Sequence, residues 1–231
     1  MATHDKIDRK AIAAPDEFQV ASQHALSWLQ THRMLLIGGV VGVGLLGGAA
    51  AVVSSQRRDA QSAAAIAFRD AHKQYAEKAY AEAGTAFQHI ATDSAGTPFA
   101  KLAVLYRGHA LARQSDAAGA GAAYQEYLAT NPVDYLRQQA LLGLAVAKEA
   151  GGDQAGALEA YTQGSALAGP LQTDAKLGAA RIQEQQGNAT GARTIYADLL
   201  KDPGLDATVR TTITAKVPSE MRPPDPTPAD L

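Results

Sequence analysis

Apolar residues are distributed in two different ways along this chain, and the pattern changes near position 54. Residues 34–53 form an uninterrupted apolar run without a charged side chain. A helix of about twenty residues rises roughly 30 Å, the thickness of the hydrocarbon core of a bilayer. Beyond this run, apolar positions recur at helical spacing, and no segment alternates apolar and polar residues for long. The pattern predicts an all-α protein with one transmembrane helix followed by a water-soluble domain.

A cleaved secretory signal is an alternative interpretation of residues 34–53. The small residues at 49–51 are of the kind that a signal peptidase accepts. However, the preceding tail, residues 1–33, is longer than the basic leader of a signal peptide and contains acidic residues such as Asp16. A buried core helix is disfavoured by the six glycines in the run. We therefore expect the span to be retained, behind a tail with a short amphipathic segment that ends at Trp28.

Two pairs of glycines are spaced about one helical turn apart inside the apolar run. Gly38 precedes Gly42 by four positions, and Gly44 precedes Gly48 by four positions. Small residues at this spacing allow two membrane helices to touch backbone to backbone. Simple tolerance of glycine in a membrane helix is the alternative explanation. These glycines are therefore candidates for helix packing in the membrane and not for a nucleotide-binding loop.

The soluble part of the chain repeats itself. The clearest markers are four alanines separated by 37, 37 and 35 residues, namely Ala83, Ala120, Ala157 and Ala192. An aromatic residue follows each alanine four positions later, on the same helix face: Phe87, Tyr124, Tyr161 and Tyr196. Each alanine is also preceded by a segment with a small residue: Ala71, Gly108, Ala145 and Ala180. A period of this length predicts a solenoid of helical hairpins.

The residues of each unit carry a family resemblance. A small residue in the first helix, a Gly-Asp turn, an Ala-x-x-x-Tyr/Phe pair and a closing Asn-Pro resemble the tetratricopeptide repeat, whose usual period is about 34 residues. The second unit matches best, through Gly108, Asp116, Ala120, Tyr124 and Pro132. The first unit departs most, because Lys78-Ala79 stands where the turn glycine is expected. The resemblance implies about four divergent units over residues 54–217.

The order of the segments resembles the ancillary subunit family of the bacterial Sec (SecYEG) translocon. That resemblance implies a single-pass protein of the bacterial inner membrane, with a periplasmic repeat domain that contacts the Sec translocon, exported polypeptides or periplasmic chaperones. Charge alone favours the opposite orientation, because Arg57 and Arg58 follow the span closely whereas only Arg33 precedes it closely. We expect the periplasmic orientation, since large domains cross the membrane largely regardless of charge.

Composition disfavours several kinds of chemistry. Hydrophobic residues make up 46% of the chain but aromatic residues only 6%, so the core must consist of small side chains on closely spaced helices. Cysteine is absent, and the net charge of -2 gives no footprint for nucleic acid. The histidines show no metal-binding spacing with carboxylates, and no catalytic constellation can be assembled. We expect no enzymatic activity, cofactor, metal or small-molecule substrate, and a disordered Pro-rich tail at residues 218–231.

The first helices of a hairpin solenoid line an extended concave surface. Helical projection places seven candidate partner-binding residues on it, namely His72, Tyr75, His109, Arg113, Glu149, Arg181 and Glu184. The set lacks the repeated Lys and Asn that would clamp a terminal carboxylate, so an extended or apolar polypeptide segment is the expected ligand. The expected function is a membrane-anchored protein-binding module beside the translocon. A scaffold for a cell-envelope complex, in cell division or outer-membrane assembly, is the alternative.

Overall fold

A computed structural model describes residue 22 and residues 26–222, and this part of the chain contains helices and turns but no strand. The helices are α1 (Arg33–Ala76), α2 (Tyr80–Asp93), α3 (Pro98–Arg113), α4 (Ala117–Ala129), α5 (Asp134–Ala150), α6 (Gln154–Ala166), α7 (Gln172–Gln185), α8 (Ala189–Leu199) and α9 (Ala207–Thr214). Residues 26–31 are helical as well, and a 3₁₀ turn follows at Ser219–Met221. The predicted all-α class is confirmed.

Helix α1 contains the predicted span. Within the described residues, it is the one helix that is long and apolar enough, by length and composition, to cross a membrane. The chain divides into two compact units, Met1–Arg58 and Asp59–Leu231, and α1 begins in the first and ends in the second. The predicted boundaries at residues 33, 53 and 217 stay predictions. Most of the amino-terminal tail and residues 223–231 of the predicted Pro-rich tail lie outside the described residues.

The glycines of the span have open surroundings. A Cβ atom added at Gly38, Gly44 or Gly48 would meet nothing within 4 Å. The surroundings of Gly42 are not among those that the structure describes. Packing of this surface against another membrane helix remains a prediction.

The last three hairpins share one turn geometry. The residue with positive φ is Ser115 (63°), Gly152 (82°) or Gly187 (77°). The residue that follows it caps the second helix, because its side-chain oxygen accepts a hydrogen bond from the backbone N–H three positions later, at 2.9–3.0 Å. In the first hairpin Lys78 takes the positive φ of 66°, and Ala79 provides no side-chain cap. The first unit therefore departs from the pattern at its turn, as predicted.

Small residues allow the helices to approach closely in the core. The four marker alanines are at most 1% exposed, and the small residues of the first helices are buried as well. The aromatic side chains four positions after the alanines are at most 4% exposed. Consecutive helices pack against each other from α2 to α8, and α3 also contacts α5. The predicted register of the repeats is confirmed.

Two buried tyrosine rings lie against glycines of the next hairpin. A Cβ atom at Gly143 would lie 2.4 Å from Cζ of Tyr124, and one at Gly178 would lie 2.4 Å from Cε1 of Tyr161. Any larger side chain at these glycines would displace the ring. This interlock between hairpins positions the tyrosine hydroxyls beside the first helices.

Gln138 fastens the connection between α6 and α7 to α5. It is a fully buried polar side chain, and its Nε2 donates to the carbonyl oxygens of Gly164 at 3.1 Å and Leu167 at 2.9 Å. Its Oε1 accepts from the backbone N–H of Leu171 at 3.2 Å. All polar atoms of the amide are thus satisfied, which a buried amide requires. A proline follows the second helix of each of the last three hairpins, at positions 132, 170 and 203.

Candidate functional site

Each first helix exposes a row of side chains, and together these rows form a surface that we call the inner face. Its members are Phe68, His72 and Tyr75 on α1, Phe99, Tyr106, His109 and Arg113 on α3, Tyr135, Leu142, Val146 and Glu149 on α5, Asp174, Leu177, Arg181 and Glu184 on α7, and Thr212 and Lys216 on and just after α9. Neighbouring members of one row are mostly three or four positions apart, as one helix face requires. All seven predicted candidates are among these residues, and their role in binding stays a prediction.

An aromatic cluster occupies the part of the inner face on α1 and α3. The ring of Tyr106 is its centre, with ring centroids 5.3 Å from Phe68, 5.3 Å from His72 and 6.3 Å from Tyr75. The contacts are edge-to-face, the geometry that the charge distribution of aromatic rings favours. Burial raises the pKa of Tyr106, with further contributions from Tyr75 and Tyr135. The phenol is therefore a neutral hydrogen-bonding group at physiological pH.

His109 links this cluster to the buried Tyr124. Its Nδ1 lies 2.7 Å from the Tyr124 hydroxyl. Burial, together with a smaller effect of the nearby Arg113 charge, lowers the pKa of His109 to about 4. Burial also raises the pKa of Tyr124. The pair is therefore neutral at physiological pH. The exposed Arg113 guanidinium is a charged neighbour of the pair, and a hydrogen bond with the Tyr75 hydroxyl raises the pKa of Arg113.

The part of the inner face on α5 and α7 is built from charges instead of rings. Arg181 Nη2 donates to Glu149 Oε2 at 2.6 Å and to the Tyr161 hydroxyl at 3.2 Å. The Tyr161 hydroxyl donates to the same carboxylate oxygen at 3.2 Å. We call this arrangement a Glu–Tyr–cation triad. It joins three consecutive helices, because the Glu is on α5, the Tyr on α6 and the cation on α7.

A second triad repeats the first one hairpin later. The Tyr196 hydroxyl donates to Glu184 Oε2 at 3.2 Å, and Lys216 Nζ donates to the same oxygen at 2.7 Å. The Lys216 ammonium also lies 5.3 Å from the centroid of the Tyr196 ring. Hydrogen bonding to Glu184 raises the pKa of Lys216, so the ammonium stays protonated. Each member follows its counterpart in the first triad by 35 residues, the same step that separates Ala157 from Ala192.

An open pocket of about 460 Å³ lies between the two triads. Its apolar walls come from Leu142 and Val146 on α5, Leu177 on α7 and Ile213 on α9. Arg181, Glu184, Lys216 and Asp174 form its polar parts. Three of the seven predicted candidates are thus at or beside this pocket, and the other four belong to the aromatic cluster or its edge.

A larger cavity, of about 600 Å³, lies away from the inner face between α6, α7 and α8. Its lining includes Ala179, Ile195 and the ion pair of Lys176 with Asp198, whose atoms are 2.6 Å apart. None of the predicted candidates lines it. Volume alone does not make it the better site, because the inner-face pocket combines apolar walls with several charged groups.

The described part of the chain offers no group of three or more His, Asp or Glu side chains that could hold a metal ion.

The family comparison is informative about the fold. A family model for the tetratricopeptide repeat-like domain matches residues 27–218.

The chain belongs to this tetratricopeptide repeat-like family.

No curated protein gave a significant match to the sequence. Tetratricopeptide repeat-like domains are typically non-enzymatic scaffolds for protein–protein interaction, and protein is the class of partner that the family supports. The matched range includes α1 as well as every hairpin of the repeat-like domain.

Sequence reasoning missed several inner-face residues of this domain. Three of them lie seven positions before a predicted candidate and therefore on the same helix face, namely Tyr106, Leu142 and Leu177. Extending the helical projection by two turns would have found them. Lys216 follows Arg181 by the repeat step of 35 residues, and that period would have found it. The buried Gln138 had no such signal, because its role depends on which distant backbone groups it meets.

Proposed function

We propose that this protein is a single-pass, membrane-anchored ancillary subunit of the bacterial Sec translocon. Its repeat-like domain stands in the periplasm and holds segments of exported polypeptides, or of periplasmic chaperones, on the inner face. The observation that carries the binding role is the inner face itself, with solvent-accessible apolar and aromatic side chains beside ordered charges. The translocon assignment rests on the resemblance in segment order and on the candidate span in α1.

Exposed apolar groups on the inner face support a polypeptide ligand. Tyr135 and Val146 are 55% and 52% exposed, although both belong to a helix whose opposite side is in the core. Contiguous exposed apolar groups with polar neighbours mark binding surfaces for proteins. The charges of the two triads are largely paired with each other, so they do not favour a strongly acidic tail as ligand.

Membrane anchoring supports the proposal through effective concentration. A module tethered near the exit of a translocon would meet its ligand at an effective concentration of about millimolar. Weak intrinsic affinity is then sufficient for capture, and it permits fast release. An open, shallow surface such as the inner face is suited to this kind of binding.

Site-specific photocrosslinking in membranes tests the binding role. A photoreactive residue at Val146 on the inner face should crosslink to an arrested exported polypeptide, whereas one at the exposed Thr194 on α8 should give much less product. Replacing Tyr75 and Arg113 together by Ala, or deleting the span, should each reduce the yield from Val146. Equal yields from both positions and from all variants would contradict the proposal.

Partner identification tests the translocon assignment. Purification in a mild detergent should recover translocon subunits, and recovery of division or outer-membrane assembly proteins would instead support a scaffold. Orientation can be measured separately because the chain has no cysteine. A single Lys201→Cys variant should react with a membrane-impermeant maleimide from the periplasmic side, and reaction only after lysis would place the domain in the cytoplasm.

A further inference from the structure

The residues that line the pocket between the two triads indicate which kind of polypeptide segment it binds. We propose that it binds a large apolar side chain of an extended polypeptide, and that Asp174 at its edge pairs with a Lys or Arg adjacent to that side chain in the ligand. This inference rests on the proposed function, because it names the class of segment that the inner face binds.

The shape and lining of the pocket fit one large apolar side chain. The volume of about 460 Å³ is within the range of sites that bind small molecules or side chains. Apolar walls are present on three helices, through Val146, Leu177 and Ile213. Gly178 and the buried Tyr161 ring, which pack closely against each other, also line the pocket. An aliphatic or aromatic side chain would therefore bury apolar surface against all three helices.

The charges at the pocket leave one carboxylate without a counterion. Glu149 pairs with Arg181 at 2.6 Å, and Glu184 pairs with Lys216 at 2.7 Å. Asp174 is exposed and lines the same pocket, and its carboxylate forms no hydrogen bond or ion pair with any residue that the structure describes. The pocket and its two triads therefore carry one uncompensated negative charge. A ligand with one positive charge next to its apolar side chain is complementary to this arrangement.

An extended ligand is favoured over a compact one. The pocket is open to solvent, and the same helix α5 that supplies Leu142 and Val146 to the pocket also presents Tyr135 outside it. A segment seated with one side chain in the pocket can continue along the exposed row on α5. Its neighbouring residue would then lie at the pocket edge, where Asp174 is.

Peptide binding to the full-length protein in lipid nanodiscs tests the inference. The probes are fluorescent, Ser- and Gly-rich nonapeptides that contain at their centre Phe next to Lys, Phe next to Glu, or Ser next to Lys, each in both orders. Fluorescence polarisation gives the dissociation constants. We expect the Phe–Lys peptides to bind about two- to fivefold more tightly than the Phe–Glu peptides, the range of an exposed ion pair. The Ser–Lys peptides should bind at least about tenfold more weakly than the Phe–Lys peptides, because they bury no ring.

Charge reversal at Asp174 gives the decisive comparison. Asp174→Lys should reverse the preference, so that the Phe–Glu peptides bind more tightly, and Asp174→Asn should abolish it. Glu82→Lys is the matched control, since Glu82 is also exposed in the first turn of a helix but lies on α2. It should leave the preference unchanged. Val146→Asp should weaken the binding of all Phe-containing peptides.

The outcomes separate this inference from the proposed function. If peptides with Phe bind but the variants at Asp174 show the same preference as the unaltered protein, the pairing is wrong while polypeptide binding stands. If no peptide binds, or if Val146→Asp has no effect, then polypeptide binding in this pocket is itself contradicted. A preference that reverses in Glu82→Lys as well would indicate long-range charge and would also contradict the pairing.

Discussion

Hairpins of the same architecture meet through different chemistry at the two ends of the inner face. At α1 and α3 the contacts are between aromatic rings around Tyr106, whereas at α5, α7 and the residue after α9 they are Glu–Tyr–cation triads. The aromatic residue of the second helix is in the core in both regions, so the backbone geometry is shared. The repeat thus defines the position of a side chain at the interface but not its chemistry. The two regions should respond differently to truncation, pH and salt.

The largest effect is expected in the aromatic region. Phe87→Ala removes a fully buried ring that lies 5.4 Å from Phe68 and 5.5 Å from Tyr106. It should lower the free energy of unfolding by about 3 to 5 kcal/mol, measured by urea denaturation of the full-length chain. Phe99→Ala, which removes a half-buried ring of the same cluster, is the control and should cost less than half as much. Equal losses would contradict the deeper burial of Phe87 on which the prediction rests.

Overpacking of the marker alanines should affect both regions alike. Ala120→Leu and Ala157→Leu insert side chains at positions that are 0% exposed, and each should cost about 1 to 3 kcal/mol. Thermal unfolding measures the loss, and Ala118→Leu, at an exposed position of α4, should have little effect. Unchanged unfolding in both core variants would contradict the repeat register.

Acid should selectively weaken the aromatic region. The pKa of His109 is about 4 in the folded protein, against 6.5 for an ordinary, solvent-exposed histidine. As pH falls below about 6.5, the unfolded chain binds the proton first, so stability is lost between pH 6.5 and about 4 and is unaffected above that window. After allowance for partial exposure, we expect a loss of about 1 to 2 kcal/mol. Urea denaturation at pH 7 and pH 4.5 measures it.

A variant isolates the contribution of this histidine. His109→Gln can keep a hydrogen bond to the Tyr124 hydroxyl but does not titrate. Between pH 7 and pH 4.5, this variant should lose about 1 to 2 kcal/mol less stability than the unaltered protein. An identical pH dependence in both proteins would mean that other groups cause the acid sensitivity.

The smallest effect is expected in the triads, because their charges are partly exposed. A double-mutant cycle of Glu184→Gln with Lys216→Met should give a coupling of about 0.2 to 1 kcal/mol. The coupling should shrink between 0.05 M and 1 M salt, since screening acts on exposed ion pairs. The loss caused by Phe87→Ala should not depend on salt in this way. A salt-independent coupling would remove the distinction between the two regions.

Much of the repeat-like domain was predictable from local patterns. Helical spacing, the alanine markers and the turn residues identify the hairpins and their core, because a residue four positions from another must share its helix face. The turn at Lys78 was predicted as irregular for the same local reason. Helical projection also assigned the seven candidate residues to first helices, but it omitted the apolar and aromatic positions that precede them on the same helix faces.

Pairings between hairpins were not predictable in this way. Glu149, Tyr161 and Arg181 bind one another, although 12 to 32 residues separate them in the sequence. Their contact depends on how one hairpin stacks on the next. The same holds for Gln138, which satisfies backbone groups 26 to 33 residues away. No local spacing encodes these distances.

The sequence by itself therefore determined the helical class, the candidate span, the repeat period and the family of this protein, since each depends on periodicity along the chain. Only the tertiary structure decided that the inner face is aromatic at one end and charged at the other, that its pocket lies between two triads, and that Asp174 is left without a counterion. The physical reason is that hydrogen bonds, burial and ion pairs depend on distances in space. In a solenoid, those distances are set by the stacking of units that are far apart in sequence.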